Sequence, residues 1–77
     1  MKIEILGTGC AKCQAMEANA KAAIAQIGGF HSVTKVEDLM EIMAYHVVST
    51  PGLVVDGEVK STGKLLSVDE IVKILHV

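Results

Sequence analysis

The sequence predicts a single α/β domain in which helices flank a four-stranded mixed sheet, in the order β-α-β-α-β-β-α. Short segments alternate apolar and polar residues, whereas longer segments repeat apolar residues every three or four positions, which separates strands from helices. Helix-capping and hairpin patterns divide these segments from one another. The chain, residues 1–77, has the length of one small domain, and its hydrophobic content of 51% favours a packed core.

The first half of the chain predicts a strand–helix–strand unit. Met1 to Leu6 alternates and is typical of a strand with one buried face. A helix follows from about Ala11 to Ile27, and Gly28-Gly29 is a typical helix end. Its inward stripe is predicted to be Cys13, Met16, Ala20, Ile24 and Ile27. Phe30 to Val36 is rich in β-formers, and the helical crossover makes these two strands parallel.

The middle of the chain predicts a short helix and then a hairpin. Asp38 to Glu41 resembles a capping box, so a helix should run from there to about Tyr45. Its inward residues are predicted to be Leu39, Ile42 and Met43. After Ser49-Thr50-Pro51-Gly52, the apolar strand Leu53–Val55 leads into Asp56-Gly57, a typical two-residue hairpin turn. Glu58–Ser61 is then its antiparallel partner strand.

The last element is predicted to be a helix. Ser67 and Glu70 stand at capping-box spacing at its start. Val68, Ile71, Val72 and Leu75 then follow at helical spacing and form its inward stripe. The chain should therefore end in a capped helix that packs on the sheet.

Composition and charge disfavour several classes of function. The net charge is −2 with no basic stripe, and there is only one Phe and one Tyr, so nucleic-acid binding is not expected. The opening segment MKIEILGTGC is too short and too interrupted for a signal peptide, and no apolar run reaches the roughly 20 residues of a membrane span. We therefore expect a cytoplasmic protein with no membrane partner.

The two cysteines form the pattern Cys10-Ala11-Lys12-Cys13, which in a cytoplasmic protein favours catalysis or metal binding. Cys10 falls at the predicted start of the first helix, where free backbone N–H groups and the helix dipole hold a thiol pKa below its usual value of about 8.5. Lys12 adds positive charge nearby. Cys13 lies one turn deeper, on the buried stripe. The pattern predicts an exposed nucleophile, Cys10, and a shielded resolving thiol, Cys13.

The chain resembles the thioredoxin superfamily, and in particular its small archaeal and bacterial redox-active disulfide proteins, also described as glutaredoxin-like. The resemblance covers nearly the whole chain. The residues that carry it are Gly7-Thr8-Gly9-Cys10-Ala11-Lys12-Cys13 after the first strand, Ser49-Thr50-Pro51 before the third, the Asp56-Gly57 hairpin and the final capped helix. The Trp-Cys-Gly-Pro-Cys motif of typical thioredoxins is absent, and no set of glutathione-binding residues is evident.

The resemblance implies a thiol–disulfide oxidoreductase that uses the cysteine pair and needs no cofactor and no metal. It implies that Pro51 is a cis-proline facing the disulfide, and that the Thr50 backbone pairs with an extended substrate segment. The implied partners are a disulfide-containing protein and a reductase that restores the dithiol. We expect a monomer.

Two further residues have two interpretations each. Glu4 precedes the motif at about the offset of the buried acid that relays a proton to the second cysteine in thioredoxins, but strand alternation favours a solvent-facing side chain. His46 lies a few residues before Pro51, so it could tune the cysteine pair. Its place at the end of a short helix favours a C-terminal residue that interacts with the helix dipole.

Two alternatives to an oxidoreductase stay open. Cys10 and Cys13 could hold Cu(I) or half of a zinc site, as in heavy-metal-associated domains. Those domains, however, end in a strand, and His31, His46 and His76 show no ligand spacing here. The chain could instead be a non-catalytic interaction domain. Against this alternative, Met16, Met40 and Met43 are predicted to fill the core rather than to form a binding surface. An exposed apolar area beside Cys10, around Val47, Val48 and Pro51, would more readily dock a partner that carries a disulfide.

Overall fold

The computed structural model describes residues 1–9, 11–29, 31–47 and 49–75. The strands and helices follow the predicted order. They are β1 (Lys2–Leu6), α1 (Ala11–Ile27), β2 (Ser32–Val36), α2 (Leu39–Ala44), β3 (Gly52–Val55), β4 (Glu58–Thr62) and α3 (Val68–Leu75). The predicted start of the second strand, Phe30, lies outside the described residues.

The four strands form one mixed sheet in the order β2-β1-β3-β4. β1 runs parallel to β2, as a helical crossover requires, and antiparallel to β3, while β3 and β4 form the predicted hairpin. Leu6 pairs with Val36 on one side and with Gly52 on the other. β1 and β2 therefore end where β3 begins, and we call this the motif end of the sheet.

The two faces of the sheet carry different helices. α1 and α3 cover one face, whose buried cluster is Ile3, Ile5, Met16, Ala20, Ala23, Leu53, Val55, Leu66, Ile71 and Leu75. α2 covers the other, whose smaller cluster is Leu6, Val36, Ile42, Val47 and Val54. The predicted stripe of α1 differs in one detail, because Ala23 is fully buried whereas Ile24 and Ile27 are only partly so. Ala23 continues the line of Met16 and Ala20, and the two isoleucines lie at the border of that line.

The predicted helix end and hairpin turn adopt the backbone that their residues favour. Gly28 follows α1 with φ +72, and its N–H donates to the carbonyl of Ile24 at 2.9 Å. Asp56 and Gly57 both have positive φ, +51 and +84, as a two-residue hairpin turn needs. These local signals fix the ends of α1 and β3.

The inward face of α2 was predicted wrongly. Asp38 caps the helix as expected, because its Oδ1 accepts from the Met40 N–H at 2.9 Å. Only Ile42 is buried, however, while Leu39, Met40 and Met43 are 61%, 75% and 59% exposed. A helix of six residues has fewer than two turns, so one position faces the sheet. The next inward position falls on Tyr45, just past the helix.

Within the described residues, no helix is long and apolar enough to cross a membrane.

Candidate functional site

Gly7 brings the cysteine helix and the Thr50–Pro51 segment together at the motif end of the sheet. It follows β1 directly, and its N–H donates to the carbonyl of Val36 at 3.0 Å. A methyl group added at Gly7 would overlap Sγ of Cys13 and would lie 3.9 Å from Cβ of Thr50. Cys13 and Thr50, which are far apart in the sequence, therefore approach the same point of the backbone.

Cys13 lies in the first turn of α1 and is 1% exposed, as its place on the apolar stripe predicts. Cys10, the predicted nucleophile, lies outside the described residues. The loop before it is held by Gln14, whose Nε2 donates to the carbonyl of Gly9 at 3.3 Å. Gly9 has φ +87, a conformation that glycine adopts without steric cost. The motif loop thus leads from β1 into α1 with the sulfur of Cys13 already shielded.

The peptide bond between Thr50 and Pro51 is cis, as the resemblance implies. Pro51 is buried and Thr50 is exposed. The carbonyl of Pro51 accepts from the Gly63 N–H at 2.9 Å, which anchors the segment to the turn after β4. Of the two residues predicted to meet a substrate, Thr50 is therefore the one that solvent reaches.

The exposed apolar area predicted around Val47, Val48 and Pro51 is not where it was expected. Val47 is 5% exposed, Pro51 is buried, and Val48 lies outside the described residues. Val47 belongs to the cluster under α2, so its side chain turns into the core. Of the four large exposed apolar side chains described, three lie on α2 instead.

Charged groups of both signs surround the motif. Lys12 is exposed in the first turn of α1. Glu37 lies beside the loop, where a methyl group at Gly9 would be 3.7 Å from its Oε2. Glu37 also forms an ion pair with Lys35, with 3.8 Å between Nζ and Oε1. Glu37 has no signal in the sequence as a site residue, because only the parallel register of β1 and β2 brings it beside the motif.

Glu4 is neither fully solvent-facing nor on the side of α1. It lies on the α2 face of the sheet, half-buried, and its Oε1 accepts a hydrogen bond from the Tyr45 hydroxyl at 2.9 Å. Strand alternation predicted the face correctly, because Glu4 lies opposite Ile3 and Ile5, but Tyr45 covers part of its side chain there. The two residues line a cavity of about 310 Å³ together with Val36, Glu41 and Ala44. The hydrogen bond to Glu4 raises the pKa of Tyr45, and burial and the charges of Glu4 and Glu41 raise it further.

His46 follows α2 directly, in the position of a helix C-terminal residue. It is exposed, it has φ +60, and its N–H donates to the carbonyl of Met43 at 2.8 Å. The predicted place at the helix end is confirmed, and the tuning role stays a prediction.

Across residues 1–9, 11–29, 31–47 and 49–75, no three His, Cys, Asp or Glu side chains group closely enough to hold a metal ion.

The fold and the site together define the class of protein. In the sequence, a cysteine pair follows the first strand. In the structure, Cys13 and the segment of the cis Thr50–Pro51 bond meet at the motif end of a four-stranded mixed sheet. This arrangement is that of a thioredoxin-like protein.

Comparison with known proteins agrees with this class. A family model described as a thioredoxin domain matches residues 1–76. A thioredoxin of Methanothermobacter thermautotrophicus is 44% identical over 75 residues, which cover 97% of each chain. A thioredoxin of Methanocaldococcus jannaschii is 41% identical over 69 residues, which cover 90% of this chain and 79% of the relative. The chain belongs to the thioredoxin family and is a thiol–disulfide oxidoreductase.

Proposed function

We propose that Cys10 and Cys13 are the redox pair and that the protein reduces disulfides of other proteins. The observation that carries this proposal is the convergence at Gly7, where the buried Cys13 and the exposed Thr50 approach one backbone position. A resolving thiol has to be shielded yet close to the segment that holds the substrate. The position of Cys13 meets both requirements.

The proposed reaction transfers two electrons through a mixed disulfide. The Cys10 thiolate attacks one sulfur of the substrate disulfide, the substrate S–S bond breaks, and the leaving thiolate takes a proton. Cys13 then loses its proton and attacks the Cys10 sulfur. The mixed disulfide breaks, the second substrate thiol leaves, and a Cys10–Cys13 disulfide remains. A thiol reductant or a reductase returns the pair to the dithiol.

The other site residues have supporting roles in this proposal. Thr50, exposed beside the buried Pro51, offers its backbone to an extended substrate segment. Lys12 favours the Cys10 thiolate by its charge, and the N-terminus of the 17-residue helix α1 acts in the same direction. Glu4 is a weaker candidate for proton relay, because it faces α2 and Tyr45 whereas α1 packs on the opposite face.

The test is a redox titration of the metal-free protein in dithiol/disulfide buffers, read by mass after alkylation. We expect one reversible two-electron transition, and a midpoint of about −270 mV would indicate a reductant of the thioredoxin kind. Cys13→Ser should trap a mixed disulfide at Cys10, whereas Cys10→Ser should trap none. If no intramolecular disulfide forms at any potential, the proposal fails, and Cu(I) and zinc titrations would then test the metal-binding alternative.

A further inference from the structure

The exposed face of α2 is apolar although the rest of the described surface has few large apolar side chains. Leu39, Met40 and Met43 are 61%, 75% and 59% exposed, and the other large exposed apolar residue described is Leu65 at 39%. Met side chains are flexible and polarisable, so they adapt to different apolar partners. Leu39 and these two methionines lie on less than two turns of helix and form a contiguous apolar surface.

Acidic side chains border this apolar surface. Glu37, Asp38 and Glu41 are all exposed, and the segment Glu37–Met43 contains no basic residue. Lys35 pairs with Glu37 at 3.8 Å, but an exposed pair of this kind is held weakly. Asp38 uses one carboxylate oxygen to cap α2. We call these residues, Glu37 to Glu41 with Met43, the acidic–apolar patch.

The acidic–apolar patch begins beside the redox motif. Glu37 directly follows β2, whose last residue, Val36, pairs with Leu6 at the motif end of the sheet. A methyl group at Gly9 would lie 3.7 Å from Oε2 of Glu37, and Gly9 immediately precedes Cys10. A protein whose disulfide reaches Cys10 would therefore have neighbouring residues within reach of this patch.

We propose that the acidic–apolar patch docks the disulfide-bearing protein substrate, and that this substrate carries apolar residues flanked by lysine or arginine near its disulfide. Opposite charge would speed the encounter, and the apolar centre would bury surface on contact. The inference rests on the proposed oxidoreductase function and deepens it by naming the chemistry of the partner.

The test compares reduction of defined disulfides by the full chain. Three cyclic peptides carry one disulfide flanked by leucine and lysine, by leucine and glutamate, or by serine and lysine. Bis(2-hydroxyethyl) disulfide is the small substrate that cannot reach the patch. We expect the leucine–lysine peptide to react about tenfold faster than the leucine–glutamate peptide at low salt. The difference should shrink at about 0.5 M salt, which screens exposed charges. The serine–lysine peptide should also react more slowly than the leucine–lysine peptide.

Variants of the patch assign the preference to particular residues. Met40→Gln with Met43→Gln should remove the advantage of leucine over serine, and Glu37→Gln with Glu41→Gln should remove the advantage of lysine over glutamate. Met40→Gln with Met43→Gln should reduce bis(2-hydroxyethyl) disulfide within about twofold of the parent rate, because both residues lie outside the reacting pair. Glu37 lies beside the motif, so each peptide rate of Glu37→Gln with Glu41→Gln is divided by the rate of the same variant with the small disulfide. The controls are Leu65→Gln, which removes an exposed apolar side chain outside the patch, and Glu58→Gln, which removes an exposed acidic side chain in β4. Both should leave every peptide preference intact.

The outcomes separate this proposal from the one on which it rests. Equal rates for the three peptides, with the small disulfide still reduced, would overturn the docking surface and leave the oxidoreductase standing. Failure to reduce the small disulfide would overturn both. A dimer in sedimentation that Met40→Gln with Met43→Gln dissociates would assign the patch to a second copy of the chain and would also overturn the proposed partner.

Discussion

Gly7 has a packing role that its neighbours in the sequence do not indicate. In the sequence it looks like an ordinary glycine that ends a strand before the Thr8-Gly9 turn. In the structure, the absence of a side chain lets Cys13 pack directly on the backbone at the end of β1. Five residues separate Gly7 from Cys13, and no local pattern in the sequence predicts that they meet.

Gly7→Ala is therefore expected to destabilise the protein by about 1–3 kcal/mol, as overpacking of a core does. Cys13 is 1% exposed and has little space to yield to a methyl group. Urea unfolding of the parent and the variant measures the loss. Gly52→Ala is the matched control, since its methyl would lie 3.3 Å from Cβ of Leu6, a tight contact rather than an overlap. A loss at Gly7 no greater than at Gly52 would contradict the close approach.

His46 allows a second prediction at this scale. Its φ of +60 is a conformation that a residue with a Cβ adopts at a cost. His46→Gly should raise the free energy of unfolding by roughly 0.5–1 kcal/mol, because glycine adopts positive φ freely. His46→Ala keeps the Cβ and should bring no such gain.

The same two variants address the tuning role of His46. If this residue serves only the end of α2, neither change should alter the pH dependence of Cys10 alkylation. A shifted alkylation profile in both variants would instead assign the imidazole to the redox site.

At the scale of elements, the sequence predicted best where local hydrogen bonds decide the structure. The Ser67–Glu70 capping box forms in both directions: the Ser67 N–H donates to Glu70 Oε1 at 3.1 Å, and the Glu70 N–H donates to Ser67 Oγ at 3.2 Å. The start of α3 was therefore predictable from four residues. The buried face of α2 was not predictable, because a mostly apolar helix of six residues can pack in several rotations about its axis. Contacts with the sheet decide which rotation forms.

The capping box also predicts a pH dependence of stability. The hydrogen bond from the Ser67 backbone, with the nearby Lys64 ammonium, holds the pKa of Glu70 below its ordinary value of 4.5. A carboxyl group whose pKa is lower in the folded state stabilises the protein at pH values above its unfolded-state pKa. This stabilisation is lost as the pH falls through the folded-state pKa. Glu70→Gln should thus be less stable than the parent near neutral pH.

Urea unfolding at a series of pH values measures this effect. The difference between the parent and Glu70→Gln should shrink as the pH drops below 4.5. Glu58→Gln, an identical charge change in the β4 strand, controls for net charge. A difference between the parent and Glu70→Gln that stays constant across this range would contradict the assigned cause.

At the scale of the whole molecule, strand register assembles the site. The sequence predicted the parallel crossover and the cysteine junction, because helix and strand periods differ clearly. It could not place Glu37 beside Gly9, or Glu4 under Tyr45, because those contacts join segments more than 25 residues apart through the pairing of β1 with β2 and the packing of α2. Long-range contacts of this kind have no signature in a single sequence.

The two faces of the sheet should also differ in stability. α2 buries one residue of its own, Ile42, whereas α1 buries four and packs against α3. Regions with few buried contacts open locally before the molecule unfolds. In hydrogen exchange, the amides of α2 should therefore open at a free energy at least about 2 kcal/mol below that of the β1 amides, which are paired on both sides.

Two variants of α2 show whether its one buried contact sets this local stability. Ile42→Ala should lower the protection of α2 further, because it removes the only side chain by which the helix itself enters the core. Met40→Gln, which changes a side chain that is 75% exposed, should not. Equal protection of α2 and β1 would mean that the two faces unfold as one unit. A weakly held α2 would instead let the acidic–apolar patch adjust to different substrates while the cysteine helix stays fixed.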